Sequence, residues 1–141
     1  MKVILRDRDT YLLRFNSGEE IIETLGKYCQ EQAITAGYFT AIGAAKEVDL
    51  SFFDLVKKEY NTKTFKNRIN LEIISLTGNI SLLQSKVIVH AHGIFSDSRY
   101  HAFAGHVKRL VVSATCELVL VKLKGKMERK YDQVTGLHLL S

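Results

Sequence analysis

The stretch Leu110-Val-Val-Ser-Ala-Thr-Cys-Glu-Leu-Val-Leu-Val-Lys-Leu123 decides the fold class. It is rich in β-branched residues and apolar on both faces over much of its length, the pattern of a strand buried on both sides. Such a strand needs a layer above it and a layer below. Working outward, only one segment offers a helix for either layer. Asn16-Ser-Gly-Glu-Glu20 reads as a helix start, with Ser17 and Glu20 at the spacing of a capping box. Ile22, Leu25, Cys29 and Ala33 then recur three and four apart, while Glu23, Lys27, Gln30 and Glu31 take the opposite face. The spacing predicts a helix over 18–33, followed by Gly37.

The rest reads as strands. Residues 3–15 form an opening strand ending in Tyr11-Leu-Leu-Arg-Phe15. Residues 39–45 contain small residues where another backbone comes close. Residues 47–55 turn at Lys57-Lys-Glu59 and return through 60–65. A short apolar strand over 71–76 is closed by a turn at Thr77-Gly-Asn79, and 86–95 alternates cleanly. The expected architecture is α+β, a broad and mostly antiparallel β-sheet with one principal N-terminal α-helix, as a single domain over 1–141. One helix covers one side of so broad a sheet but not both, so a second copy of the chain is expected on the open face.

Composition narrows the class of partner. No run approaches the roughly 18 apolar residues of a membrane span, so no membrane partner is expected. Val3-Ile4-Leu5 gives way at once to Arg6-Asp-Arg-Asp9, which lacks the apolar core of a signal peptide. Cys29 and Cys116 lie inside apolar patterns, as packing thiols do in a reducing compartment, and a cytoplasmic location is expected. The net charge is +5, concentrated at Lys57 and Lys58, at Lys63, Lys66 and Arg68, and at Lys122, Lys124, Lys126, Arg129 and Lys130. These positions fall around turns and strand ends, where lysines guard sheet edges or offer non-specific attraction to nucleic acid. Neither a phosphate loop nor a nucleophile elbow occurs.

The histidines carry the one site-like pattern. In Val87-Ile-Val-His-Ala-His-Gly-Ile-Phe95 the strand period of two puts His90 and His92 on one face, where two imidazoles can converge on one metal ion. His106 follows a polar stretch, 96–105, expected to be a loop that folds a third ligand back onto the strand. Three histidines leave one coordination position open, and neutral imidazole suits zinc as well as nickel, copper or iron. The same residues can also be polar groups on a solvated sheet face, or be satisfied by backbone carbonyls. His101 is expected to be exposed, and His138 to lie in a closing strand. Glu117 sits inside the apolar run on one face with Ser113 and Thr115, and Glu72 raises the same question on another strand. A carboxylate in such a place orients a histidine, acts as a base beside a metal-bound water, or faces a wet cavity or subunit contact.

Glu72-Ile-Ile-Ser-Leu-Thr-Gly-Asn-Ile80, His90-Ala-His92, Ala104-Gly-His106 and Thr115-Cys-Glu117 together resemble the PPC (plant and prokaryote conserved) domain. Gly18-Glu-Glu-Ile-Ile22, Ala41-Ile-Gly-Ala44 and Thr135-Gly-Leu137 match it too, so the resemblance spans essentially the whole chain. It implies a broad antiparallel sheet with one principal helix, assembled as a homotrimer. The plant forms follow a DNA-binding AT-hook, whereas this chain has no Arg-Gly-Arg-Pro core and no proline. The prokaryotic forms keep the histidines, which implies His90, His92 and His106 as ligands of one zinc-like ion per subunit. Ala104 stands where the family pattern usually has the first glycine of Gly-Gly-His. Three functions follow as expectations: a trimeric metal-binding domain whose site is structural or takes a small ligand, a DNA-binding regulator using the basic tips, and a metal-dependent enzyme with Glu117 or Glu72 as base.

Overall fold

A computed structural model describes the backbone of residues 1–141 and the side chains of all but 67–69. Arg68, counted above among the basic residues, lies outside the described side chains. The elements run β1 (Lys2–Asp7), β2 (Thr10–Asn16), α1 (Ile21–Glu31), β3 (Gly37–Asp54), β4 (Glu59–Leu83), β5 (Lys86–Ser96), β6 (Ala102–Lys122), β7 (Arg129–Asp132) and β8 (Leu137–Leu140). The expected α+β class is what forms. Six strands make an antiparallel sheet in the order β1-β2-β6-β3-β4-β5, and β6 also pairs with β5, so the sheet curls round on itself. β7 and β8 form a separate two-stranded sheet.

Several expectations change in detail. The opening strand is a hairpin, because Arg8 takes φ 52 and turns the chain between β1 and β2. The helix starts three residues later than expected, and Glu20 itself is the cap. Its carboxylate accepts from the N–H groups of Ile22 and Glu23 at 3.1 and 2.6 Å. The reason is that 18–20 are drawn to β6: the Gly18 N–H donates to the Val112 carbonyl, and Glu20 bridges Val111. The buried stripe is therefore Ile21, Leu25 and Cys29, and Ile34 rather than Ala33 continues it. Isolated helices shorter than about 12 residues are marginal in water. Each fully buried aliphatic side chain contributes about 1.5–3 kcal/mol, so it is the packing of this stripe that holds α1.

The expected turn at Thr77-Gly78-Asn79 is continuous strand. β4 passes straight through it, with Phe39 opposite Gly78 on β3 and Ala91 opposite it on β5. In β6 the inner row Cys116, Leu118 and Leu120 is fully buried, while Glu117 and Val119 face outward. The outer face of neighbouring strands is apolar as well: Tyr38, Ile42, Ile74 and Ile94 are 52, 59, 54 and 46% exposed. The helix covers one face, and these side chains on the other are left exposed within a single chain.

Candidate metal centre

β5 and β6 form one hairpin whose register runs Ser96↔Ala102, Phe95↔Phe103, Ile94↔Ala104, Gly93↔Gly105 and His92↔His106. Most of the expected loop is thus strand, and only 97–101 turn. That tip is tied by Asp97, whose carboxylate accepts from the N–H groups of Arg99 and His101 at 2.8 and 3.1 Å. His106 reaches the site from the facing strand and needs no loop to carry it. Directly opposed residues have Cβ atoms about 4.5–5.5 Å apart, and His90 follows one pleat along the same face as His92. Ala104 is exposed in regular strand pairing, so the departure from glycine falls outside any turn.

The three imidazoles converge. Each offers a nitrogen within 4.8 Å of the others, with ring centroids 5.2, 5.1 and 5.4 Å apart. Two nitrogens bound tetrahedrally to one zinc at about 2.1 Å stand about 3.4 Å apart, so small side-chain rotations close the cluster. The chemistry of the donor set fits such an ion. His106 Nδ1 is buried without a hydrogen-bond partner, and an unmet buried polar atom costs about 1–3 kcal/mol. Burial, with Arg129 and the other two imidazoles adding to it, pushes His90 from 6.5 down to about 4. Burial also lowers His106. Both rings are neutral at neutral pH, the state a ligand must have.

One wall of the site comes from a residue that sequence reasoning placed among solvated basic tips. Arg129, the first residue of β7, sends Nε to Ser81 Oγ at 2.8 Å and Nη2 to Asn79 Oδ1 at 2.9 Å. Its Nη2 also lies 3.3 Å from His90 Nδ1, and Nη1 donates to the His138 carbonyl at 2.9 Å. The signal for it was the turn Thr135-Gly-Leu137 between Arg129–Asp132 and the alternating C-terminus, which marks a closing hairpin. A cavity of about 470 Å³ opens beside the cluster, lined by His90, His106, Arg129, Tyr60, Phe53 and the β8 residues Leu137 and Leu139. Tyr60 packs its ring 5.4 Å from that of His106.

The other candidates stay out of the cluster. His101 is exposed beside Asp97, and His138 lines the cavity and accepts from Arg129 through its carbonyl but is not one of the converging rings. Glu72 and Glu117 share a different cleft of about 420 Å³ with Ile42, Gly43 and Thr115. Glu117 follows His106 by eleven residues on β6, on the order of 30 Å along the strand. Within one chain neither glutamate reaches the histidines, so neither is placed to act as base on a water there.

Residues 5–124 match the Plants and Prokaryotes Conserved (PCC) domain. Among solved structures, a candidate DNA-binding protein of Bacteroides thetaiotaomicron is similar at 32% identity and TM-score 0.92, over 97% of this chain and 94% of that one. A plant- and prokaryote-conserved protein of Pyrococcus horikoshii is 34% identical with TM-score 0.87, over 94% and 90%. A metal-containing protein of Archaeoglobus fulgidus is 32% identical with TM-score 0.87, over 100% and 99%. No curated protein matches the chain.

Proposed function

Taking as premise that the chain belongs to the Plants and Prokaryotes Conserved (PCC) domain family, we propose that it is a metal-binding domain that works as a homotrimer, with His90, His92 and His106 as the ligands of one zinc-like divalent ion per chain. The observation that carries this reading is the convergence of three imidazoles, one of which holds a buried, unpartnered nitrogen. The metal-containing relative from Archaeoglobus fulgidus supports it. A bound ion, held by His90, His92 and His106, would supply a Lewis acid beside the cavity. The protein's part is to orient the three rings and, by burial, to keep His90 and His106 neutral, with Tyr60 and Phe53 limiting water on one side. Elemental analysis of protein purified without a histidine tag tests the reading. About one ion per chain is expected, and protein that takes up no zinc, nickel, copper or iron on loading would remove it.

Self-association is supported by the bare apolar face of Tyr38, Ile42, Ile74, Ile94 and Val119, since surfaces of that kind mark contacts between molecules. Light scattering should give a mass three times 16.0 kDa, and a monomer at micromolar concentration contradicts it. No helix is long and apolar enough to cross a membrane. Cys29 and Cys116 are free and buried, and burial pushes both thiols up to about 12. Inert thiols of this kind are compatible with the cytoplasm.

A second reading, association with DNA, is favoured by the Bacteroides relative and by the basic turns. Those turns are partly spent: Lys66 pairs with Glu47 at 3.0 Å and Lys58 donates to the Gln133 carbonyl at 2.9 Å. If duplex DNA is bound, log affinity falls with log salt by about 0.9 for each phosphate contacted. Binding that is absent or indifferent to salt would sink this second reading and leave the metal reading untouched.

A further inference from the structure

Arg129 is a half-buried cation whose partners are all neutral: a hydroxyl, an amide oxygen, a backbone carbonyl and an imidazole nitrogen. Among the described residues no carboxylate forms an ion pair with it. A guanidinium taken out of water without an anion is held at a cost. The contact with His90 also cannot coexist with ligation. A neutral imidazole has one lone pair. If an ion takes Nδ1 of His90, that lone pair is used; if it takes Nε2, Nδ1 carries the proton. On either nitrogen, Nδ1 stops accepting from Arg129 and one Nη2 N–H is released.

A guanidinium has five N–H groups, and four are engaged here. Loading the site therefore leaves two free, one on Nη1 and one on Nη2, beside a dication whose three protein ligands are uncharged. Lys58 adds another positive charge at the cavity wall, and Glu59, on the exposed start of β4, is the one carboxylate there. We infer that the site takes a small organic acid whose carboxylate is received by Arg129 next to the ion. Two free donors match the two oxygens of a carboxylate. They leave a phosphate partly unmatched, and Phe53, Leu137 and Leu139 line the space with apolar surface suited to a carbon skeleton. Arg129 is then the residue that selects charge, and the β7–β8 hairpin, which lies beyond the family-matched residues 5–124, is the element that completes the site.

This inference rests on the metal reading, and one experiment separates the two. Full-length protein is loaded with cobalt(II), uptake is read by elemental analysis, and the visible cobalt absorption is followed on addition of glycolate, glycolamide or inorganic phosphate. Glycolate should perturb the spectrum and bind about tenfold or more tightly than its uncharged amide. Arg129→Gln should keep the cobalt and weaken glycolate about ten- to a hundredfold, with Arg129→Lys intermediate. If Arg129→Gln fails to fold, the contrast between glycolate and glycolamide on the unaltered protein still decides. Equal binding of the two, tighter binding of phosphate, or full glycolate affinity in Arg129→Gln overturns the inference while leaving the metal reading standing. Failure of cobalt uptake overturns both.

Discussion

Replacing His106 with alanine should give a folded protein that no longer retains metal and whose melting temperature no longer rises with added zinc. Removing one of three ligands costs more than the roughly 10–100-fold loss that follows removal of an outer partner, so at micromolar zinc the variant should be empty. Its metal-free stability should change little. The mutation removes a buried nitrogen that has no hydrogen-bond partner, which favours the variant. It also opens space beside the Tyr60 ring, which disfavours it. The two effects are each about 1–3 kcal/mol and opposite in sign. The zinc-dependent rise is a linkage effect: an ion bound only by the folded state stabilises by about 2.7 kcal/mol at a hundred times its Kd. Melts with and without zinc, alongside elemental analysis, read both quantities. A variant that keeps the full zinc-induced rise would show that the ion is held by other groups.

Gly78→Ala should destabilise the fold by about 3 kcal/mol or more, the range of severe overpacking against groups that cannot move. A methyl group at this position would stand 2.2 Å from the His90 carbonyl oxygen and 2.6 and 2.8 Å from two atoms of the Phe39 ring. Neither neighbour can yield. The carbonyl belongs to the β4–β5 ladder, and Phe39 is fully buried in the core. Relief would require β5 to move away from β4 at His90, so the same substitution should also weaken metal retention. Gly26→Ala is the internal contrast. Gly26 lies inside α1, and a methyl there meets only Val89 at 3.6 Å, so the variant should gain up to about 1 kcal/mol from helix propensity. Urea denaturation measures both. A Gly78→Ala protein as stable as the parent would mean that β4 does not lie in this register on β3 and β5.

These two glycines also show which parts of the structure were legible in the chain. Periodicity reads α1 and β5 because each is long enough to repeat its pattern several times. By contrast β6, expected to be buried on both sides, buries only the row Cys116, Leu118 and Leu120 over 116–120 within one chain, with Glu117 and Val119 exposed. Periodicity misread Gly78, since a glycine kept small by a ring and a carbonyl on neighbouring strands looks in sequence like one kept for a turn. The same ambiguity lengthened the loop before His106. Gly105 reads as loop, yet it pairs with Gly93 in the ladder. The helix start was misplaced because Gly18 and Glu20 bind to β6, ninety or so residues on, and that competition is invisible locally. At the site, the period of two placed His90 and His92 on one face without any tertiary knowledge. His106 was within reach only once the hairpin register was known. Arg129 was hidden because a basic residue after a lysine-rich turn is usually solvated, and only the closing β7–β8 hairpin brings it to His90. Glu117 and Glu72 stand out in the sequence as charges in apolar strands, but both are exposed and line a separate cleft.

Anomalous diffraction from crystals of untagged protein grown with zinc would show whether three imidazoles hold one ion. The expected result is one strong peak per chain, about 2.0–2.1 Å from one nitrogen each of His90, His92 and His106, with a fourth position facing the cavity beside Arg129. Ordered imidazoles with no peak between them, or a zinc ion bound at other residues while these three stay empty, would mean that His90, His92 and His106 do not form a metal site.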